Sequence, residues 1–290
     1  MYSLLIYIFL ILLISFIIRN LYRKYRFKYQ TYINSKTVIL ITGGCQGIGK
    51  EIIKFLLENY KCTVINIDIC KDKFKDLEDS FNSGNGGKVI NYYCDLCDSK
   101  NIDSCVTSIL SFYRVDILIN NAGISYNKDF TQLEEINFSK TINVNLLAPM
   151  QLCKKLLSHK TKHQEKLHIV NVASVMSHIT SLKSTDYCSS KWGLFALHEC
   201  MRYDYYATDD FKFTIICPFA VNTSMFQGFV SPLPFVNILY VNYVAETIIR
   251  SIILNDKIVF LPFYMEYIAL VFKVLPISLR DFLYFKLSKY

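Results

Sequence analysis

The sequence predicts an α/β domain built on a doubly wound parallel sheet of about seven strands, with helices on both faces. Three observations predict this fold class. From residue 36 onward, short β-branched runs alternate with helical patterns, several runs are continuously apolar, and a glycine-rich turn follows the first run. Strands in a parallel sheet are covered on both faces, so they are apolar throughout rather than at every second position.

Seven apolar, β-branched runs are predicted to be strands. They are residues 37–42, 63–68, 88–94, 115–120, 167–173, 211–217 and 257–262. The helical patterns lie between them, at residues 48–59, 99–112, 132–158, 186–207 and 241–254. Regular alternation of this kind is typical of one Rossmann-like domain, which we assign to residues 36–262.

The first eighteen residues contain no charged side chain, and as a helix of about 1.5 Å per residue they would extend about 27 Å. This length is at the short end of the range that spans a bilayer. Residues 19–35 then carry a basic cluster. We predict an uncleaved N-terminal membrane helix over residues 1–18, a basic juxtamembrane segment over residues 19–35, and a domain on the cytosolic side. A cleaved signal peptide and an interfacial helix are the alternatives.

Composition narrows the class of protein. Hydrophobic residues make up 52% of the chain and charged residues 19%, which favours membrane contact. Much of the net charge of +8 lies in the juxtamembrane cluster, so we predict no nucleic-acid partner and attribute the cluster to anionic lipid. The ten cysteines show no disulfide spacing, and Cys94 and Cys97 have no second pair to complete a zinc site. We therefore predict free thiols and no metal.

A glycine-rich turn, TGGCQGIG at residues 42–49, joins the first strand to the first helix. Glycines allow a tight turn and a close approach to a pyrophosphate, whose charge lies at the helix N-terminus. The spacing differs from the G-x-G-x-x-G fingerprint, but the strand–turn–helix context is the one that a dinucleotide site requires. The predicted cofactor contacts of the turn are Gly43, Cys45, Gln46, Gly47, Ile48 and Gly49.

Asp68 ends the second predicted strand. A carboxylate at this position can accept hydrogen bonds from both ribose hydroxyls and would repel a 2′-phosphate. Neither Gln46 nor Ile69 offers a cation to such a phosphate, although Lys71 is near in sequence. The predicted cofactor is therefore NAD, with NADP as the less favoured alternative.

Further motifs follow in a fixed order, and together they resemble the short-chain dehydrogenase/reductase family over residues 36–262. They are TGGCQGIG, Asn120-Asn121-Ala122-Gly123, Asn145, Ser174, Tyr187-x3-Lys191 and Pro218 with Thr223. The apolar N-terminus and the stretches VNVASVMS, YCSSKWG and CPFAVNTSM resemble a membrane-anchored subgroup, that of 17-beta-hydroxysteroid dehydrogenase type 11 and the epidermal retinol dehydrogenases. Phe219 stands where many family members have glycine.

The resemblance implies a catalytic set of Asn145, Ser174, Tyr187 and Lys191. Tyr187 would be the general acid/base, and Lys191 together with the oxidised nicotinamide would favour its phenolate. Ser174 would orient the substrate oxygen. Asn145 would hold a water molecule that links Lys191 to solvent. The resemblance also implies cofactor contacts at Asp95, Leu96, Asn121, Ala122, Gly123, Tyr187, Lys191, Pro218, Val221 and Thr223.

Two apolar segments bear on the substrate. Residues 225–240 are apolar, with Pro232 and Pro234, which is typical of a lid over a lipophilic substrate or of a loop packed on the core. Residues 263–290 interleave apolar and basic residues, so this tail is predicted either to lie in the membrane interface or to close the substrate pocket.

The predicted function is that of a membrane-associated oxidoreductase that transfers a hydride between NAD and a hydroxyl or carbonyl group of a steroid, retinoid or long-chain alcohol. An NADPH-dependent lipid ketone reductase and a catalytically silent lipid-droplet or membrane scaffold are the alternatives. The predicted location is the endoplasmic reticulum membrane or the lipid droplet. A homodimer is common in the family and is expected on that ground alone.

Overall fold

The computed structural model describes residues 32–82, 86–226 and 236–287, together with the single positions 18, 21, 228 and 231. Residues 1–17 of the predicted membrane helix therefore lie outside the described residues, as do most of the predicted juxtamembrane segment, parts of the predicted lid and the last three residues. Within the described part of the chain, no helix is both long enough and apolar enough to cross a membrane.

Seven strands form one sheet in which every neighbouring pair is parallel, as the sequence predicts. The strands are β1 (Val38–Thr42), β2 (Thr63–Asp68), β3 (Lys88–Tyr93), β4 (Ile117–Asn120), β5 (Leu167–Val172), β6 (Phe211–Pro218) and β7 (Ile258–Leu261). Their order across the sheet is β3-β2-β1-β4-β5-β6-β7. The strand order reverses between β1 and β4, and a ligand crevice is expected at the carboxyl ends of these two strands.

Helices lie between the strands and continue after the last one. They are α1 (Gly47–Tyr60), α2 (Phe74–Phe81), α3 (Ser99–Phe112), α4 (Glu135–Ile142), α5 (Ala148–His163), α6 (Thr185–Asp204), α7 (Val241–Leu254), α8 (Met265–Val274) and α9 (Ile277–Leu287). We refer to α8 and α9 together as the C-terminal helix pair. A π-helical segment, Asn143–Leu147, joins α4 to α5.

The two faces of the sheet carry separate cores. Ile39 and Ile41 of β1 pack with α1 and α7, whereas Leu40 packs on the opposite face with α3 and α5. Successive side chains of a strand point to opposite faces, so a strand buried on both faces must be apolar at every position. All ten cysteines are free and most are buried, as expected of thiols that serve as packing residues.

Three parts of the chain differ from the predicted helices or add to them. The predicted helix over residues 132–158 is in fact two helices and a π-helical segment, and it ends five residues later, at His163. Helix α2 was not predicted, because its short sequence FKDLEDSF buries only Leu77 and gives a weak apolar pattern. Most of the described part of the tail, residues 263–287, which is predicted to lie in the membrane interface or to close the substrate pocket, folds as the C-terminal helix pair.

The first residues of the continuous described chain pack at the amino edge of the sheet. The ring of Tyr32 lies edge-on to His168, with centroids 5.8 Å apart, and the ammonium of Lys212 lies 4.7 Å from the Tyr32 ring centroid. Both partners lie at the start of their strands. The chain therefore enters the domain at the edge opposite the carboxyl ends of the strands.

Gly49 is expected to be intolerant of any side chain. A Cβ atom at this position would overlap the carbonyl oxygen of Gly43 and come within 2.7 Å of Nδ2 of Asn121. Because the first obstacle is backbone, we expect Gly49→Ala to lower the free energy of unfolding by about 1–3 kcal/mol, measured by thermal and urea denaturation. Gly123→Ala is the control, since its Cβ would make contacts of 3.5 Å or more. Equal stability of the two variants would contradict the close packing of the turn.

Candidate active site

The glycine-rich turn has the backbone conformation that its sequence predicts. Gly43 and Gly47 have φ angles of +71° and +56°, in the left-handed region that favours glycine. The turn delivers the chain to the N-terminus of α1, where backbone N–H groups have no intrahelical partner. Such a terminus, reached through a glycine turn at the end of a strand, can bind the pyrophosphate of a dinucleotide.

Asn66 fixes the turn to the sheet, and sequence reasoning did not identify it. Its Oδ1 accepts a hydrogen bond from the N–H of Gly44 (2.8 Å), and its Nδ2 donates to Oδ1 of Asn91 (2.8 Å). Asn91 donates in turn to a carboxylate oxygen of Glu78 (2.8 Å). The available signal was the one polar residue in the otherwise apolar run VINI, residues 64–67, because a fully buried amide needs partners.

Asp68 lies at the end of β2 and is almost fully buried. Its carboxylate accepts hydrogen bonds from the N–H of Cys45 (2.9 Å) and from the N–H of Cys70 (3.1 Å). These bonds hold the carboxylate next to the glycine-rich turn, at the wall of a cavity. The geometry matches the position expected for a ribose-binding carboxylate.

The basic residues near Asp68 differ from the expectation. Lys71, the candidate from sequence, lies over the ring of Tyr93, with Nζ 4.1 Å from the centroid. Lys73 instead reaches the turn, where its Nζ donates to Oε1 of Gln46 (2.8 Å). The sequence points to Lys71 as the nearest cation, whereas in the structure Lys73, at the end of the 3₁₀ turn over residues 71–73, is the one that contacts Gln46.

Thr42 links β1 to the loop after β4. Its Oγ1 accepts hydrogen bonds from the N–H groups of Asn121 (3.1 Å) and Ala122 (3.0 Å), and Asn121 Nδ2 donates to the carbonyls of Thr42 (3.0 Å) and Gly43 (3.1 Å). The predicted contacts Asn121, Ala122 and Gly123 therefore lie beside the glycine-rich turn. Asp95 and Leu96, which follow β3, line the same cavity.

Asn145 lies in the π-helical segment and is fully buried. Its Oδ1 accepts from the N–H of Ile124 (2.9 Å), while its Nδ2 donates to the Ile124 carbonyl (2.9 Å) and to Oγ of Ser190 (3.0 Å). Ser190 donates to the carbonyl of Tyr187 (2.7 Å). Asn145 therefore connects the loop after β4 with the part of α6 that carries Tyr187, and Ser190 is a link that sequence reasoning missed.

Ser174 and Tyr187 come together above β5 and β6. Ser174 directly follows Ala173 at the end of β5, and its Oγ donates to the carbonyl of Pro218 (3.4 Å) and accepts from the N–H of Met176 (3.1 Å). Tyr187, in the first turn of α6, is 7% exposed and is hydrogen-bonded to Ser174 through its side chain. Burial raises the pKa of the Tyr187 phenol above its ordinary value, and the bond to Ser174 lowers it by a smaller amount.

Lys191 lies one turn further along α6 and is 3% exposed. Its Nζ donates to the carbonyl of Val172 (2.9 Å) and is 5.6 Å from the centroid of the Tyr187 ring. Burial lowers the pKa of the Lys191 ammonium to about 8, because a desolvated cation is disfavoured. A Cβ placed on Gly123 would lie 3.5 Å from both Lys191 Nζ and Asn145 Oδ1, so these two side chains meet at Gly123.

The remaining predicted contacts follow β6. Pro218 ends that strand, and Val221 makes a parallel bridge to Leu239. Oγ1 of Thr223 donates to the carbonyl of Val221 (3.3 Å), and the methyl group of Thr223 faces Gly47 of the glycine-rich turn. The segment after β6 therefore covers the N-terminal end of α1.

One cavity of about 420 Å³ brings most of these residues together. The predicted residues that line it are Gly43, Gln46, Gly47, Ile48, Asp68, Asp95, Leu96, Asn121, Ala122, Gly123, Ser174, Tyr187, Lys191, Pro218, Val221 and Thr223. Cys45, Gly49 and Asn145 do not line it and instead support residues that do. Apolar side chains that were not predicted as site residues also line the cavity, namely Ile124, Val144, Phe219, Met225 and Phe226, and so do the polar residues Lys140 and Ser224.

Comparisons with known proteins agree with this geometry. A family model described as short chain dehydrogenase matches residues 37–232. The chain is 29% identical over 253 residues to the uncharacterized oxidoreductase TDA5 of Saccharomyces cerevisiae, covering 84% of this chain and 73% of that protein. It is 28% identical over 242 residues to estradiol 17-beta-dehydrogenase 11 of Homo sapiens, covering 82% and 79%.

A solved structure supports the same fold. A short chain dehydrogenase/reductase from Burkholderia phymatum in complex with NAD superimposes with a TM-score of 0.74, covering 84% of this chain and 95% of that one, at 17% identity. The family resemblance predicted from the ordered motifs is thereby confirmed. The chain belongs to the short chain dehydrogenase family of oxidoreductases.

Proposed function

We propose that this protein is a membrane-associated, NAD-dependent oxidoreductase that interconverts a hydroxyl group and a carbonyl group on a lipophilic molecule such as a steroid, a retinoid or a long-chain alcohol. One observation carries the proposal. Ser174, Tyr187 and Lys191 line the same cavity as the glycine-rich turn and Asp68. A catalytically silent scaffold would have no need to keep these polar groups buried, because each buried polar group costs free energy unless a partner is provided for it.

The reaction requires a hydride and a proton to leave the same alcohol. A bound nicotinamide would accept the hydride, and Tyr187 would accept the hydroxyl proton. Ser174 would hold the substrate oxygen by a hydrogen bond within reach of the Tyr187 oxygen. In the reverse direction Tyr187 would donate the proton to the carbonyl oxygen.

Burial raises the pKa of the Tyr187 phenol and so favours its neutral form. Oxidation near neutral pH requires the opposite shift, a lower pKa of the phenol. Lys191 and the positive charge of an oxidised nicotinamide would supply it, since a nearby cation stabilises a phenolate. Asn145, which meets Lys191 at Gly123, would hold the water that returns protons from Lys191 to solvent.

The position of Asp68 supports NAD as the cofactor. Its buried carboxylate beside the glycine-rich turn would accept hydrogen bonds from the adenine ribose and repel a 2′-phosphate. The contact between Lys73 and Gln46 supports the second candidate, an NADPH-dependent ketone reductase, because an ammonium at this rim could bind the phosphate.

Apolar surfaces support a lipophilic substrate and contact with a membrane. Exposed apolar side chains concentrate on the C-terminal helix pair: Leu270 (60% exposed), Val271, Val274 (72%), Ile277, Leu279, Phe282 and Phe285. Arg280 and Lys286 on the same helix pair could contact anionic head groups. With the apolar residues 1–18 as an anchor, the protein would lie on the endoplasmic reticulum membrane or the lipid droplet, facing the cytosol. A homodimer remains an expectation from the family.

Tyr187→Phe should abolish proton transfer while leaving the fold intact. We expect kcat to fall by about 10²–10⁴-fold, the usual contribution of a general acid/base.

In the parent enzyme, kcat/KM for alcohol oxidation should rise with pH and kcat/KM for ketone reduction should fall, because oxidation needs the phenolate and reduction needs the phenol. The measurement is NADH formation or loss with steroid, retinoid and long-chain alcohols and the matching ketones.

Tyr203→Phe is the matched control for that prediction, since Tyr203 is 63% exposed on the same helix, α6. An active Tyr187→Phe variant would exclude Tyr187 as the acid/base. A parent enzyme that turns over no alcohol or ketone with either cofactor would favour the scaffold alternative.

Asp68→Ala should weaken the use of NAD and improve the use of NADP. We expect kcat/KM for NAD to fall by about tenfold or more, because charge-assisted hydrogen bonds to the ribose are lost, whereas NADP should gain from the removal of a repulsive charge. In the Asp68→Ala background, Lys73→Met should reduce the use of NADP, and Lys71→Met is the control because Tyr93 holds that ammonium. Tighter NAD binding by Asp68→Ala, or a parent preference for NADPH, would contradict the choice of NAD.

Leu270→Asp/Val274→Asp should weaken membrane binding, because it places two charges on the apolar surface of α8. We expect the full chain to float with phosphatidylcholine/phosphatidylserine vesicles. The double variant is made in a chain that lacks residues 1–18, and we expect this shortened variant to remain in the soluble fraction. Phe112→Asp in the same shortened chain is the control, since Phe112 is 76% exposed on α3. Equal flotation of both shortened variants would exclude the C-terminal helix pair as a lipid contact.

A further inference from the structure

The loop that follows Ser174 is tied to the C-terminal helix pair at two places. Nζ of Lys273, on α8, lies 2.9 Å from Nδ1 of His178. The hydroxyl of Tyr284, on α9, accepts a hydrogen bond from the N–H of Leu182 (3.0 Å). The C-terminal helix pair therefore packs on the loop between Ser174 and α6, next to the predicted catalytic residues.

His178 is buried although it lies on a loop. It is 8% exposed, and its ring packs edge-on against Phe195 (centroids 4.3 Å apart) and tilted against Phe260 (4.9 Å). Burial and, to a smaller extent, the neighbouring Lys273 cation lower the pKa of His178 to about 4, so the ring is neutral near pH 7. A neutral ring has one nitrogen that donates and one that accepts.

The contacts of His178 identify its tautomer. An ammonium group can only donate, so Nδ1 of His178 must accept the hydrogen bond from Lys273. The proton then lies on Nε2, which is 3.8 Å from Sγ of Cys217 and can donate to it. His178 thus connects Lys273 on α8 with the end of β6.

The same end of β6 also holds Ser174. Pro218, the residue after Cys217, accepts the hydrogen bond from Ser174 Oγ (3.4 Å). Between the two anchored ends lies a 3₁₀ turn, Val175–Ser177, in which the N–H of Ser177 donates to the Ser174 carbonyl (2.9 Å). Ser174 and His178 are therefore the two ends of one short turn, and both ends are attached to adjacent residues of β6.

We propose that Lys273 and His178 are positioning residues that hold the Ser174 turn against the end of β6, so that the C-terminal helix pair forms part of the support of the active site. The inference rests on the proposed role of Ser174. Lys273 does not touch the cavity, and it acts only through His178. The same ammonium lies 5.4 Å from the ring centroid of Trp192, the only tryptophan in the sequence, so Trp192 reports on this contact directly.

Lys273→Met should lower kcat with little change in KM for either the cofactor or the alcohol. We expect a loss of about 10- to 100-fold, because a displaced orienting group costs about this much even when it is far from the reacting atoms. Lys273→Arg, which keeps a donor to Nδ1, should recover most of the loss. Lys212→Met is the matched control, since it removes a cation from an aromatic ring at the opposite edge of the sheet and should leave kcat within about twofold.

A double-mutant cycle separates positioning from general destabilisation. If the two residues act as one unit, Lys273→Met/His178→Phe should be no slower than the worse single variant, whereas independent effects would multiply. Multiplying losses, or equal kcat for Lys273→Met and the parent, would overturn the proposal. Loss of activity that Lys273→Arg does not recover would also overturn it.

Trp192 fluorescence tests the contact without any turnover. Lys273→Met should shift the emission of Trp192 and increase its quenching by acrylamide, a neutral quencher whose access does not depend on the lost charge, whereas Lys212→Met should change neither. An unchanged Trp192 signal in Lys273→Met would show that Lys273 does not hold this loop, whatever the substrate is. A changed signal together with an inactive parent enzyme would contradict the proposed function and leave the contact itself established.

Discussion

The candidate site depends on keeping one ammonium group, that of Lys191, inside the protein. A buried cation is costly unless it is hydrogen-bonded, and Lys191 meets this requirement through the carbonyl of Val172 at the end of β5. That carbonyl can accept a hydrogen bond from a side chain because β5 ends there, at the side of the sheet where the carboxyl ends of all seven strands lie. The parallel arrangement thus supplies the acceptor, and α6 supplies the side chain one helical turn beyond Tyr187. Partial desolvation then lowers the pKa of Lys191 to about 8, a range in which it can exchange protons.

The π-helical segment between α4 and α5 supports the same site. A regular helix over residues 132–158 would be the simplest reading of the sequence, yet a π-helical segment interrupts it at Asn145. Such segments are rare and concentrate at functional sites, because they widen a helix at a defined position. Here the fully buried amide of Asn145 satisfies both backbone groups of Ile124 and reaches Ser190 of α6. The loop after β4 and the helix that carries Tyr187 are therefore connected through one side chain.

The sequence predicts the long, strongly patterned elements and the site residues that occupy strand ends, because both follow from local rules. Seven apolar runs give seven strands, and Asp68 and Ser174 lie at the sheet edge that the βα order requires. Contacts between side chains distant in sequence could not be read in this way. Lys73, and not Lys71, contacts Gln46, because a three-residue 3₁₀ turn that no sequence periodicity reveals sets the direction of the chain. Helix α2 and the π-helical segment could not be predicted for a related reason, since tertiary packing outweighs local preference there.

The first and last segments of the continuous described chain contact the domain at opposite edges of the sheet. Tyr32 packs near the starts of β5 and β6, whereas the C-terminal helix pair packs beside the loop that follows Ser174. A strand of six residues separates these edges by about 20 Å, and residues 19–31 could extend at most about 47 Å. An anchor at residues 1–18 would therefore keep the domain near a membrane without fixing which edge faces it. The apolar surface of α8 and α9 would fix that orientation, and the same helices hold the Ser174 turn. Orientation of the cavity and support of its catalytic residues would then depend on one structural element.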